Sequence, residues 1–184
     1  MDSNQRVVSD RFAAAHARVS QEPMMARYKK TLMDAFKPHF KELGFTKKVA
    51  TWHHRTPEAI HVFNVQTSQW SERYYFNAGI YLLALGSLET PAEPYCHIRT
   101  RIPDYKLHSN SFERANELAD FDLVEFGAED RILELKDLIY PLALDWFSRF
   151  RDLEHVKREL TGIGLPWFAV TKEVWPLFNM ELPE

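Results

Sequence analysis

The sequence predicts an α+β fold, an antiparallel β-meander of about four strands with α-helices packed on one face. Three observations carry that expectation. Apolar residues recur at helical spacing from Met24 to Leu43, the pattern of one buried stripe. Between Val49 and Leu83 the period falls to that of a strand, where side chains alternate between two faces. From Glu129 to Phe150 the helical spacing returns. A helix, a strand meander and further helices make a sheet with its helices segregated to one side.

Residues 1–22 mix polar, charged and small types without an apolar stretch, so they read as an N-terminal extension with no secretory signal. Within them Ser9-Asp10 caps a short predicted helix over Arg11–Ser20, with Phe12, Ala15 and Val19 on one side. Pro23 suits the first position of the next helix, where its missing N–H would be unpaired anyway. That helix buries Met24, Tyr28, Leu32, Phe36, Phe40 and Leu43 and turns Arg27, Lys30, Lys37 and Lys41 the other way. Pro38 lies inside it and predicts a kink or a split. Gly44 is a left-handed stop, after which Phe45 folds back onto the last turn.

Three strands follow, over Val49–Arg55, Ile60–Ser68 and Tyr74–Leu83, joined by turns at Thr56–Ala59 and Trp70–Arg73. Symmetric closure pairs His54 with His61, Trp52 with Phe63, Gln66 with Asn77, and Asn64 with Gly79. Alternation then places Trp52, Phe63, Val65, Phe76, Ala78, Ile80 and Leu82 on a core face. The opposite face collects His53, Arg55, Asn64, Gln66, Ser68, Tyr75, Asn77 and Tyr81. After a loop at 86–96, a fourth strand over Cys96–Ile102 points Cys96, Ile98, Thr100 and Ile102 at the core. His97, Arg99 and Arg101 then join the polar face, and Pro103 ends the strand.

Asn110 and Glu113 form a capping pair for a helix over Phe112–Ala119. Residues 121–126 fit a short strand or a loop. The long amphipathic segment from Glu129 buries Ile132, Leu135, Leu138, Ile139, Leu142, Trp146, Phe147 and Phe150, with a kink or break expected at Pro141. Leu153–Leu160 is a last helix. The tail Gly164–Glu184 carries Trp167, Phe168, Trp175 and Phe178 and must dock or expose apolar surface. No linker divides the chain, so residues 1–184 are expected to form a single domain.

With 184 residues, 45% apolar and 27% charged, the composition is that of one soluble globular domain. No run approaches the ~18 apolar residues of a membrane span. One cysteine rules out an internal disulfide framework and a paired-cysteine zinc site, and the cytoplasm is the default address. The net charge of −3 conceals a gradient. Residues 1–50 carry ten Lys/Arg against five Asp/Glu, and residues 111–184 carry eight against sixteen. Overall acidity argues against nucleic-acid binding, for which a basic domain is expected. A basic helix side of Arg27, Lys30, Lys37 and Lys41 is the weakest functional reading.

Catalytic signatures are missing from the sequence. Eight histidines include the cross-strand pair His54 and His61, but no third ligand completes a zinc site. Cys96 falls on the core face, where it reads as a small buried hydrophobe. Six glycines supply no phosphate-cradling loop, and no nucleophile elbow occurs. Glu129-Asp130 and Asp120/Asp122 sit in solvated acidic stretches that would not raise a carboxyl toward neutrality. No metal and no cofactor are expected.

The polar sheet face is the distinctive feature. Asn64, Gln66 and Asn77 are types depleted from strands, and such carboxamides need partners or water. Tyr75, Tyr81, His97, Arg99 and Arg101 surround them. Tyrosine and arginine are enriched where proteins recognise one another. Two arginines can also hold a carboxylate or phosphate in paired hydrogen bonds. A plain solvent-facing sheet would show the same alternation.

Gly44-Phe45, then Phe63-Asn64-Val65-Gln66-Thr67-Ser68, then Phe76-Asn77-Ala78-Gly79-Ile80-Tyr81 resemble the bacterial DUF4304 family. That family runs from a helix ending in a Gly-Phe step to a strand with Gln and Ser and a strand reading Asn-x-Gly-Ile. The resemblance covers roughly residues 30–155, including the Trp146-Phe147 helix. It implies the fold, marks Gln66, Ser68, Asn77 and Gly79, and carries no assigned activity. Small proteins of this type resemble members of toxin–immunity neighbourhoods. The leading expectation is therefore a non-catalytic protein that binds a protein partner through the polar face, as an immunity protein would. The alternative is a small-molecule or anion pocket between that face and the aromatic tail.

Overall fold

In the computed structural model, residues 24–102, 110–121, 128–162 and 168–181 are described. The first helix, α1 (Met24–Glu42), buries Leu32, Met33, Phe36 and Phe40. The Phe36 ring stands 5.4 Å from Phe63, 5.9 Å from Phe76 and 6.3 Å from Trp52. Gly44, at φ +81°, ends the helix. Its N–H donates to the Lys41 carbonyl and the Phe45 N–H to the Phe40 carbonyl, the paired bonds of a Schellman stop. Leu43, expected in the buried stripe, is exposed where the chain leaves the helix.

Helix α1 runs unbroken through Pro38, so the expected split does not occur. The later α3 (Ala128–Arg149) likewise runs through Pro141. Both prolines are exposed. The carbonyl each leaves unpaired one turn earlier therefore lies on the solvent side, where water can satisfy it.

Among the described residues the sheet has six antiparallel strands in sequence order, two more than expected. They are β1 (Thr46–Lys48), β2 (Thr51–Arg55), β3 (Ala59–Thr67), β4 (Tyr74–Leu82), β5 (Ile98–Arg101) and β6 (Ala169–Val170). The expected strand over Val49–Arg55 is β2, starting at Thr51, and a further strand, β1, precedes it across a turn at Val49, whose φ is +56°. Strand β1 is short and wholly exposed, so no apolar alternation announces it. Strand β6 brings the tail back to the sheet edge beside β5.

The β2–β3 register is as expected, with His54 opposite His61 and Trp52 opposite Phe63. The β3–β4 register differs by two residues, with Asn64 opposite Asn77 and Gln66 opposite Tyr75. The turn explains the difference. Ser68 N–H donates to the Arg73 carbonyl and Ser68 Oγ receives the Trp70 N–H, which centres the loop earlier than a four-residue turn at Trp70–Arg73 would. An even shift leaves every side chain on its own face.

Trp52, Phe63, Val65, Phe76, Ala78, Ile80 and Leu82 are all at most 1% exposed. Helices α1 and α3 cover them, joined by α2 (Asn110–Ala119) and α4 (Leu153–Gly162). Phe168, Val174 and Trp175 complete this core from the tail and the short α5 (Val174–Leu177). Arg131 is 3% exposed and donates to the carbonyls of Glu117, Leu118 and Asp120, filling acceptors that the end of α2 leaves open. His61 lies flat on Phe147, with ring centroids 5.1 Å apart, and bonds the Phe150 carbonyl at 3.2 Å. Burial pushes its imidazole down to about 4. The expected Arg11–Ser20 helix, Trp167, and most of 121–126 lie outside the described residues.

Candidate functional site

On the sheet face turned away from the helices, register sorts side chains into rows that cross the strands. One row is Arg55, Ile60 and Tyr81. The next is Thr46, His53, Val62, Gly79 and Arg99. A third is Lys48, Thr51, Asn64, Asn77 and Arg101. Gln66 and Tyr75 form the last.

The first two rows lie largely under the segment Leu83–His97. Ile60, Val62, Tyr81 and Cys96 form a second, small buried cluster there. His53 Nε2 bonds the Pro91 carbonyl at 2.9 Å, Tyr81 Oη receives the Leu88 N–H, and His97 Nδ1 receives the Leu82 N–H. Gly79 leaves room for the segment to descend, since a Cβ at that position would stand 2.6 Å from Cys96 Sγ. Cys96 was expected on the helix-facing side as part of the fourth strand. It precedes β5 instead, closing a turn by donating its N–H to the Glu93 carbonyl, and packs on the opposite face. Burial first, and Glu93 second, push its thiol up, the reverse of what a thiolate nucleophile needs.

The last two rows are more accessible. Asn64 Nδ2 donates to Thr51 Oγ1 at 2.9 Å and to the Ala50 carbonyl at 3.3 Å. Asn77 Nδ2 donates to Gln66 Oε1 at 3.0 Å. The Arg101 guanidinium stacks 4.0 Å from the centre of the Tyr75 ring. Gln66 and Arg101 are exposed, Asn64, Tyr75 and Arg99 half-buried, and Asn77 buried. Arg99 Nε is buried without a hydrogen-bond partner among the described residues. Glu93 reaches over from the covering segment toward both arginines. Burial raises its carboxyl while Arg99 and Arg101 pull it down. At the same end of the sheet, the turn residues Val49 and Trp70 are 88% and 93% exposed.

Of the eight residues marked by the sequence, Asn64, Gln66, Tyr75, Asn77 and Arg101 therefore come together on the accessible half, and Arg99 stands half-buried in the adjoining covered row, at the border between the two halves. Tyr81 is 4% exposed beneath the covering segment, and His97 is half-buried beside it, its ring 4.7 Å from Tyr81. Sequence reasoning missed Lys48, Thr51, Glu93, Val49 and Trp70. A tryptophan inside a turn was a usable signal, because such a residue has no strand face in which to hide. Lys48 and Thr51 needed the turn at Val49 to be seen first.

At the start of α4, side-chain carboxylates are committed to structure. Asp152 receives the His155 backbone N–H and ring at the start of α4, and those bonds hold its carboxyl down. Glu58 receives the Leu153 N–H at the same helix end. Among the described residues no group of three or more His, Cys, Asp or Glu is placed to hold a metal ion. No described helix is long and apolar enough to cross a membrane.

No curated protein and no solved structure matches the chain. A family model described as "Domain of unknown function (DUF4304)" matches residues 36–148. The matched stretch begins within α1, contains β1 to β5 with the covering segment, and ends within α3. It takes in both faces of the sheet and well over half of the sequence, and on that ground the chain belongs to the DUF4304 family.

Proposed function

We propose that this chain is a non-catalytic binding protein, acting in the cytoplasm, that grips a protein partner with the accessible half of its second sheet face. The mode of action is that of a toxin-neutralising immunity protein, through steric cover and charge complementarity. One observation carries the reading. The Arg101–Tyr75 stack stands beside bonded carboxamides, at the end of the sheet where the β3–β4 turn carries the exposed Trp70. Tryptophan, tyrosine and arginine dominate binding energy at interfaces because they offer large contact at small entropy loss. At neutral pH carboxamides and guanidinium groups recognise rather than exchange protons. The thiol and His97 Nδ1 on this face are already committed to the fold, and the unpaired, buried Cys96 suits a reducing compartment.

A pocket between this face and the aromatic tail has less support, since Phe168, Val174 and Trp175 pack into the helix-side core. The test is capture from the native host with the intact chain and with the double variant Tyr75→Ala/Arg101→Ala. The partner identified with the intact chain should bind the variant at least about tenfold more weakly, a loss near 1.4 kcal/mol or more. The melting temperature should hardly move. Undiminished capture by a folded double variant overturns the proposal.

A further inference from the structure

We infer that the partner segment received by this face is extended and acidic, with a carboxylate seated against Arg99 and Arg101 of β5. The inference rests on the binding role proposed above and specifies the chemistry of the partner. The row Lys48–Thr51–Asn64–Asn77–Arg101 crosses five adjacent strands. At the usual inter-strand spacing that is about 19 Å, the length of roughly six extended residues. A cation stands at each end, with a hydroxyl and two carboxamides between them. Asn77 and Gln66 bond each other through one polar atom apiece, so Asn77 Oδ1 and Gln66 Nε2 remain for a main-chain N–H and C=O. A carboxamide offers a donor and an acceptor together, the pair that a peptide unit presents.

Charge selects the rest. Lys48, Arg99 and Arg101 face this strip or its lip. Lys48 Nζ is held by the neutral Thr90 hydroxyl. Glu93 is near both arginines, yet no ion pair joins it to either among the described residues. Arg99 is half-buried and its Nε is sealed from solvent, so an arriving carboxylate meets the terminal nitrogens of its guanidinium beside Arg101. A planar carboxylate offers two acceptors to such a fork. The length of the strip and its amide-matched centre favour a carboxylate carried on a peptide over a small free anion.

The experiment is a titration of the intact, isotope-labelled chain followed by nuclear magnetic resonance. Three probes are compared: a blocked octapeptide of alternating Glu and Ser, the same peptide with Lys for Glu, and inorganic phosphate. The acidic peptide should give saturable shifts at the side-chain amides of Asn64, Gln66 and Asn77 and at Arg99 and Arg101 Nε. Arg99→Gln and Arg101→Gln should each weaken its binding about tenfold, and Glu93→Gln should tighten it severalfold. No saturable shift in the millimolar range overturns the inference. So does an equal response to the Lys peptide, or phosphate that matches the acidic peptide. If the captured partner is lost with Tyr75→Ala/Arg101→Ala but keeps full affinity for Arg99→Gln and is untouched by acidic-peptide competition, the binding face stands and its acidic preference falls. If the acidic peptide binds as expected while the captured partner ignores the double variant, the site takes acidic chains but the proposed role fails.

Discussion

Single residues show how one sheet carries a sealed half and an open half. Gly79 lets Cys96 rest against the strand, where a Cβ would stand 2.6 Å from the Cys96 sulfur and 2.7 Å from its Cβ. Gly79→Ala should therefore cost about 1–3 kcal/mol by overpacking, read as a lower denaturation midpoint with an unchanged slope. Arg131 makes the opposite kind of contribution, filling three backbone acceptors with one side chain. Arg131→Met keeps the bulk and removes the donors, and should destabilise by about 3 kcal/mol. His61 makes stability depend on pH. Its folded value is about 4 against an ordinary 6.5, so between those limits the unfolded chain binds the extra proton. Stability contributed by keeping the ring neutral is complete above pH 6.5 and is lost as pH falls toward 4, a change of about 3 kcal/mol. Denaturant melts across that window should show the fall, and His61→Gln should flatten it.

At the scale of elements, turns decide what is presented. Val49 is a β-branched residue held at φ +56°, a conformation that such residues rarely adopt. It is almost fully exposed, so its own packing does not compensate for the strain. Val49→Gly should raise stability by about 1 kcal/mol, measured as a higher melting temperature. The helix stop at Gly44, the core-facing alternation and the β2–β3 pairing were legible because each depends on residues adjacent in sequence. The β3–β4 pairing was not, because Ser68 closes the loop with its own side chain. Its parity survived, so Asn64, Gln66, Tyr75 and Asn77 were correctly grouped even though their partners were misassigned. Strands β1 and β6 were invisible for a different reason. Each is two or three residues long and takes its place from pairing with a neighbour already in the sheet.

Across the whole molecule, the helices seal one sheet face and the Leu83–His97 segment seals half of the other. The sequence anticipated a polar second face and could not show its division. That division depends on contacts such as His53 with Pro91 and Cys96 over Gly79, whose partners lie far apart along the chain. The accessible strip that results is rich in arginine, carboxamide and aromatic groups although the chain as a whole carries a charge of −3. An acidic body with a cationic strip is suited to orienting an acidic partner segment onto one place.

Hydrogen exchange on the complex with the captured partner tests this division most directly. Slowed exchange is expected along β3 and β4 from Asn64 to Asn77, at β5, and in the turns around Val49 and Trp70, with α4 unaltered. Slowing confined to α4, to the helix side or to the covering segment, with the Asn64–Asn77 strip unchanged, would contradict it.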